Sequence, residues 1–363
     1  MMDKIVLIVL AAWFAGCSTT DNNQQEDTAS KPVVKNVILM IGDGMGLAQV
    51  SSAYYFKDET PNFSRFKSIG LSNTSSAKQK ITDSASGATA FSTGHKSYNG
   101  AIGVDADTNA VSTINEILFE QGWKSGLIAT SSITHATPAS FYAHTESRSM
   151  EDEIAAQLVS SDIHYVAGGG KAFFSGNLEG RNSFKKLIEA GFELDTTAVQ
   201  GPLDTTKRYA YILAEDGMPR MLDGRGEFLA VATEKALEYF SLTENSFFLM
   251  VEGSQIDWGG HDNDAEYLQT ELIDFDNVIG QVLDFAEEDG KTLVIVTADH
   301  ETGGYTLASN NDDYDDIKAS FSTGGHSATL VPVFAFGPGA ERFSGVYQNN
   351  EIFGKIMDLV EDK

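Results

Sequence analysis

The sequence contains a single cysteine, Cys17. Its absence elsewhere excludes disulfides and thiolate metal sites from the rest of the chain. Any transition metal there must be held by histidine nitrogens and carboxylate oxygens. Basic residues are also scarce, with 25 Lys and Arg against 52 Asp and Glu and a formal net charge of -27. Nucleic acid is therefore excluded as a partner, because phosphate binding relies on Lys and Arg. An anionic small substrate would be repelled at long range and would need locally concentrated positive charge. Most of the acids read as a solubilising surface. The apolar run 5–15 is too short to span a bilayer as a mature helix.

That run follows Lys4 and leads into small residues, so 1–16 reads as a signal peptide. Cys17 closes the tetrapeptide FAGC, which resembles a bacterial lipobox, and would then carry lipid as the first mature residue. Residues 17–35 are polar and turn-rich, as suits a tether between lipid and a folded domain. The expectation is an exported protein, periplasmic or on the cell surface, anchored through Cys17. With 42% hydrophobic and 21% charged residues in 363, the remainder, 36–363, suits one large domain with a sizeable core.

Short apolar or β-branched runs alternate with helical patterns along this domain. The runs are 34–42, 124–130, 163–170, 208–214, 246–253, 291–300 and 330–339. Such alternation predicts an α/β fold with a mainly parallel central sheet flanked by helices on both faces. Leu268, Leu272, Phe275, Ile279, Val282 and Phe285 recur at steps of three and four, predicting a long amphipathic helix. The acidic stretch NNDDYDDIK, 310–318, has no EF-hand spacing and reads as a solvated loop.

Ligands in open α/β sheets bind beyond the carboxyl ends of the strands. The run 34–42 is followed by Asp43, the run 246–253 contains Glu252 and leads to Asp257 and His261, and the run 291–300 ends in Asp299 and His300. His326 stands just before the last run. Each has an ordinary reading as a turn or strand-end residue. Together, Asp43, Asp257, His261, Asp299, His300 and His326 offer enough nitrogen and oxygen ligands for two zinc-like ions. A two-metal centre suits in-line displacement at phosphorus.

The segment KITDSASGATAFSTG, 80–94, places an acid and several hydroxyls before a helical run beginning near Ala85. Serines at such a position are usually caps. Yet DGMG, TDSASGATAFSTGHKSYNGAIGVD, HATPASFYAH, VEGSQIDWGGH, TADHETGG and STGGHSAT, in this order, resemble the alkaline phosphatase family, and within it the compact cold-active bacterial branch. The resemblance runs from about residue 36 to the C-terminus. It implies hydrolysis of phosphate monoesters, with Ser84 as a nucleophile that becomes phosphoserine. By the same resemblance Asp257, His261 and His326 would hold one zinc, and Asp43, Asp299 and His300 a second. Thr137 and Glu252, with the second oxygen of Asp43, would hold one magnesium. Arg148, in HTESRS, would grip the phosphate, and Asp83 could orient that arginine or cap the helix.

His135 and Trp258 stand where the best-known enterobacterial members carry Asp and Lys. The resemblance makes both candidate substrate contacts, and His135 a neighbour of the magnesium that could shift its preference toward zinc. His95, His144 and His164 match no ligand position and read as structural. Only 25 residues separate His300 from His326, so the surface insertion called the crown must be minimal. Family members are commonly homodimers, which makes a dimer the expectation. The alternatives are a phosphodiesterase or sulfatase of the same superfamily, although the sulfatase nucleophile motif is absent at DSASGA, or a non-catalytic metal- or phosphate-binding lipoprotein.

Overall fold

Ten strands form one sheet, in the spatial order β14-β2-β13-β8-β1-β7-β3-β4-β6-β5, in a computed structural model that describes residues 33–175 and 183–360. The expected signal peptide, Cys17 and most of the tether lie outside the described residues. The sheet strands are β1 (Asn36–Gly42), β2 (Ser68–Asn73), β3 (Lys124–Ser132), β4 (Tyr165–Gly169), β5 (Phe192–Asp195), β6 (Arg208–Ile212), β7 (Phe247–Gly253), β8 (Thr292–Thr297), β13 (Val331–Phe336) and β14 (Gly345–Gln348). Four further strands, β9 (Glu301–Thr302), β10 (Thr306–Asn310), β11 (Asp313–Ser320) and β12 (His326–Ser327), form two small antiparallel pairs.

Seven consecutive strands, from β8 to β5, are mutually parallel, and β13 runs against both of its neighbours. Strands β1, β7 and β8 are buried along their whole length. Their near-continuous apolar runs follow from that, since helices cover both faces of a parallel sheet. Two hydrophobic clusters result, one on each face: Val37, Leu39 and Ile41 of β1 point into one, Ile38 and Met40 into the other. Fully burying one such side chain contributes roughly 1.5–3 kcal/mol relative to exposure.

All seven expected strands are present, as β1, β3, β4, β6, β7, β8 and β13. The expected amphipathic helix spans Ala265–Asp289, capped at its start by Asp264, whose side chain accepts from the backbone N–H groups of Glu266 and Tyr267, and closed by Gly290 in the left-handed region. The acidic stretch 310–318 differs from expectation. It is a β-hairpin, β10 paired with β11, turning through Asn311 and Asp312 at φ values of 50° and 65°. Asn and Asp tolerate that conformation, which two-residue hairpin turns require. The side chains of 310–318 are exposed apart from the half-buried Asn310 and Ile317, and the hairpin lies in the segment between His300 and His326.

Candidate active site

The carboxyl ends of β1, β7 and β8 lie side by side, and each hands the chain to a polar turn. Asp43 follows β1, Glu252 lies near the end of β7, and Asp299 and His300 follow β8. The short helix Gln255–His261 places Asp257 and His261 four residues apart, on one face. The two-residue pairing of β12 with β9 sets His326 opposite Thr302 and so delivers it beside the β8 edge.

Three groups of potential metal ligands result, each with its ligand atoms within 4.8 Å of one another. Asp257, His261 and His326 form one; Asp43, Asp299 and His300 form the second; Asp43, His135 and Glu252 form the third. Asp43 belongs to two of them, so its two oxygens can bridge. Thr137 lies two residues beyond His135, in the turn Ala136–Ala139 that follows β3, and its hydroxyl is buried without a hydrogen-bond partner. The third group sets the His135 ring beside the carboxylates expected to hold magnesium.

The donor set fits cations on several independent observations. Both oxygens of Asp43, Oδ2 of Asp299 and Oε1 of Glu252 are buried and make no hydrogen bond. Unpaired buried polar atoms cost on the order of 1–3 kcal/mol each, more when charged. Burial, then repulsion from Asp299, Asp257 and Glu252, holds the Asp43 carboxyl well above the usual carboxylate range. Burial chiefly, with the Asp299 charge adding and a hydrogen bond from Ser254 opposing, pushes Glu252 up to about 8. Positive ions would offset this crowding of carboxylates.

The imidazoles are turned the same way. Nδ1 of His261 lies 2.8 Å from the Gly324 carbonyl oxygen, and Nδ1 of His326 lies 2.8 Å from that of Thr82. A carbonyl only accepts, so in each neutral ring Nδ1 carries the proton and Nε2 keeps its lone pair. The two Nε2 atoms are 3.1 Å apart. His300 stacks on His326 with ring centroids 3.5 Å apart, and burial, then the His326 charge, holds it well below its ordinary pKa.

Ser84 opens the helix Ser84–Thr93, one residue earlier than the pattern predicts, and is buried. Its Oγ lies 3.3 Å from His300 Nε2. Asp83 performs both of the roles considered for it. One carboxylate oxygen accepts from the Ser86 N–H as the helix cap, while the other accepts from the Gly100 N–H and lies 3.3 Å from Arg148 Nη1. Arg148 Nη2 donates to His135 Nε2 at 2.9 Å. Each terminal nitrogen of a guanidinium has two hydrogens, so one remains on each for a ligand. Burial and the Arg148 charge push His135 down to about 3, which keeps it neutral. Trp258 meets the His135 ring edge-on at 6.0 Å between centroids and leaves no room for a side chain at Gly217.

His144 and His164 stand apart from these groups. His144 spans the Gly103 carbonyl and Glu116, and His164 packs beside Phe119, Lys124 and Arg208. His95 makes a local contact to the Thr93 carbonyl. Sequence reasoning missed one participant, Thr302. Its hydroxyl donates to Asp257 Oδ1, and only its place in TADHETGG marks it.

Residues 34–319 match the family model described as alkaline phosphatase. Alkaline phosphatase 3 of Bacillus subtilis is 32% identical over 441 residues, covering 98% of this chain and 95% of its own. The alkaline phosphatase from the Antarctic bacterium TAB5 superposes with a TM-score of 0.88 at 52% identity, covering 91% of this chain and 98% of its own. A variant of the TAB5 enzyme with aspartate in place of a histidine, solved with Mg bound in its M3 site, matches at a TM-score of 0.88 and 51% identity over 91% of this chain and 99% of its own.

Proposed function

The chain belongs to the alkaline phosphatase family, whose members are metal-dependent phosphoric monoester hydrolases, and from that premise we propose how its residues share the reaction. Ser84 is the nucleophile. Its oxygen forms a bond to phosphorus as the ester P–O bond breaks, giving an alcohol and phosphoserine. Water then attacks the phosphoserine, releasing inorganic phosphate and restoring the hydroxyl. A free serine hydroxyl is a poor nucleophile at neutral pH and needs activation. Bound at the three groups, two zinc ions and one magnesium would supply Lewis acidity to the hydroxyl and the phosphate and cancel negative charge.

Asp257, His261 and His326 would hold one zinc, and Asp43, Asp299 and His300 the other, beside Ser84. Thr137 and Glu252, with Asp43, would hold magnesium. The Mg bound in the M3 site of the TAB5 variant supports a magnesium position in this family. Here the imidazole of His135 stands beside the oxygens, and with Nε2 accepting from Arg148 its neutral ring presents Nδ1–H to them, a donor rather than a metal ligand. Arg148 presents its two remaining N–H groups to two non-bridging oxygens, a bidentate grip that lysine could not match. Asp83 aims that guanidinium, and Trp258 walls the pocket behind His135. Together with the metals, Arg148 supplies the local positive charge that an acidic protein needs for an anionic substrate.

The observation that carries this reading is the placement of Ser84 Oγ 3.3 Å from His300 Nε2, next to Asp43, whose two buried oxygens make no hydrogen bond. Elemental analysis of the purified protein beside turnover of p-nitrophenyl phosphate tests it. Two zincs and one magnesium per chain, lost together with activity on chelation, are expected; full activity with no bound metal overturns it. Faster turnover of the bis ester or the sulfate would instead favour the diesterase or sulfatase alternative. The chain is further proposed to act outside the cytoplasm, anchored by lipid at Cys17, and to work as a homodimer. The FAGC motif supports the anchor, and the habit of the family supports the dimer.

A further inference from the structure

Thr302 lies in β9, fully buried between the Asp257–His261–His326 group and the Asp43–Asp299–His300 group. Its Oγ1 is 2.5 Å from Asp257 Oδ1 and 3.1 Å from His300 Nδ1. A threonine hydroxyl has one proton to give and lone pairs to accept with. An ionised carboxylate only accepts, so the hydroxyl proton goes to Asp257. The same oxygen then faces His300 as an acceptor, and that contact is a hydrogen bond only when Nδ1 carries the ring proton. His300 Nε2 is left with its lone pair, 3.3 Å from Asp299 Oδ2, 3.4 Å from Asp43 Oδ1 and 3.3 Å from Ser84 Oγ.

The surrounding backbone is shaped around this side chain. Gly44 has φ of 72°, and a Cβ there would come within 2.8 Å of both Thr302 Oγ1 and the Asp257 Cα. A Cβ on Gly260 would meet the Thr302 methyl at 3.0 Å. The hydroxyl is seated against a position whose backbone favours glycine, and the methyl packs closely on Gly260. The neighbouring Glu301 accepts from Gln49 Nε2, from the Tyr305 N–H and from the Ser327 hydroxyl, which fastens the His326 strand to the same segment. One segment, 299–302, thus supplies two ligands and braces two others.

We propose that Thr302 is a positioning residue whose single hydroxyl fixes His300 as the Nδ1–H tautomer and orients Asp257, so that the two zinc groups share one geometric constraint. This rests on reading those groups as zinc ligands. Outer partners of this kind typically contribute about 10–100-fold in metal affinity.

The test uses full-length protein labelled with 15N-histidine, in wild type, Thr302→Val and Thr302→Ser. Long-range 1H–15N spectra of the metal-free protein read the tautomer, with His300 signals identified by their loss in His300→Gln, and chelator competition reads zinc affinity. The expected results are a single Nδ1–H tautomer for His300 in wild type and Thr302→Ser, and mixed tautomers in Thr302→Val. Both zincs should leave Thr302→Val at roughly 10–100-fold lower chelator concentration. An Nε2–H tautomer in wild type, unchanged tautomer and affinity in Thr302→Val, loss confined to one zinc, or Thr302→Ser as impaired as Thr302→Val would each overturn the proposal. The tautomer is read without turnover, so a failure of the Ser84 mechanism and a failure of this inference are told apart.

Discussion

His261 Nε2 and His326 Nε2 face each other at 3.1 Å, and in the neutral rings both are lone-pair nitrogens, because each Nδ1 donates to a backbone carbonyl. Two lone pairs cannot bond to one another. A cation held by both nitrogens would turn a repulsive contact into two ligand bonds, which is what these backbone contacts prepare.

Arg148 holds Asp83 and His135 while keeping an N–H free on each terminal nitrogen. Arg148→Ala should lower kcat/KM for p-nitrophenyl phosphate by on the order of 100-fold or more, the usual cost of losing a donor to developing charge. Arg148→Lys should recover part of this, because a point charge remains without the fork. Steady-state kinetics on the three proteins checks both.

Asp83 serves the helix and the arginine with different oxygens. Asp83→Ala should therefore cost about 1 kcal/mol of stability as a lost cap and also reduce kcat/KM, though by less than Arg148→Ala. Asp83→Asn, which can still cap, should keep most of the stability and lose activity. Thermal melts beside kinetics separate the two effects.

His135 stands beside the carboxylates Asp43 and Glu252, with Nε2 accepting from Arg148 and Nδ1 carrying the ring proton. His135→Asp should tighten magnesium by about 10-fold or more, since hard oxygen ligands suit that ion. Activity of a zinc-loaded sample titrated with magnesium should then saturate at lower concentration. An unchanged magnesium requirement would remove His135 from this site.

Metal removal should expose the carboxylate crowding. Glu252 has its folded pKa raised to about 8 by burial, against 4.5 ordinarily, so the metal-free folded protein binds more protons than the unfolded chain between those values. Its contribution is present at low pH and lost as pH rises toward 8. His135 and His300, pushed down in the fold, oppose this only as pH rises to their ordinary value near 6.5, while His144, raised by its hydrogen bond with Glu116, adds to the fall above it. The metal-free melting temperature should fall between pH 6.5 and about 8, and Glu252→Gln should flatten the fall. A rise in stability with pH would contradict the sign.

The sequence revealed the strands that parallel packing buries on both sides, because β1, β7 and β8 read as unbroken apolar runs. It did not reveal β2, β5 or β14, which are short, lie toward the sheet edges and carry half-exposed residues such as Ile69 and Val346. Most ligands were legible from their residue types at strand ends. Ser84 was not, since a helix-start serine is indistinguishable from a cap without the family's ordered motifs. Thr302 was hidden for a related reason: its role lies in one proton shared between Asp257 and His300, residues 45 positions and 2 positions away.

The most direct test of the central claim, that Ser84 carries the phosphoryl group, is acid quenching of turnover on a 32P-labelled monoester followed by peptide mapping by mass spectrometry. Label should be found on Ser84 in the wild type and be lost in Ser84→Ala, which should retain its zinc. Label on another residue, or undiminished label in Ser84→Ala, would contradict the mechanism.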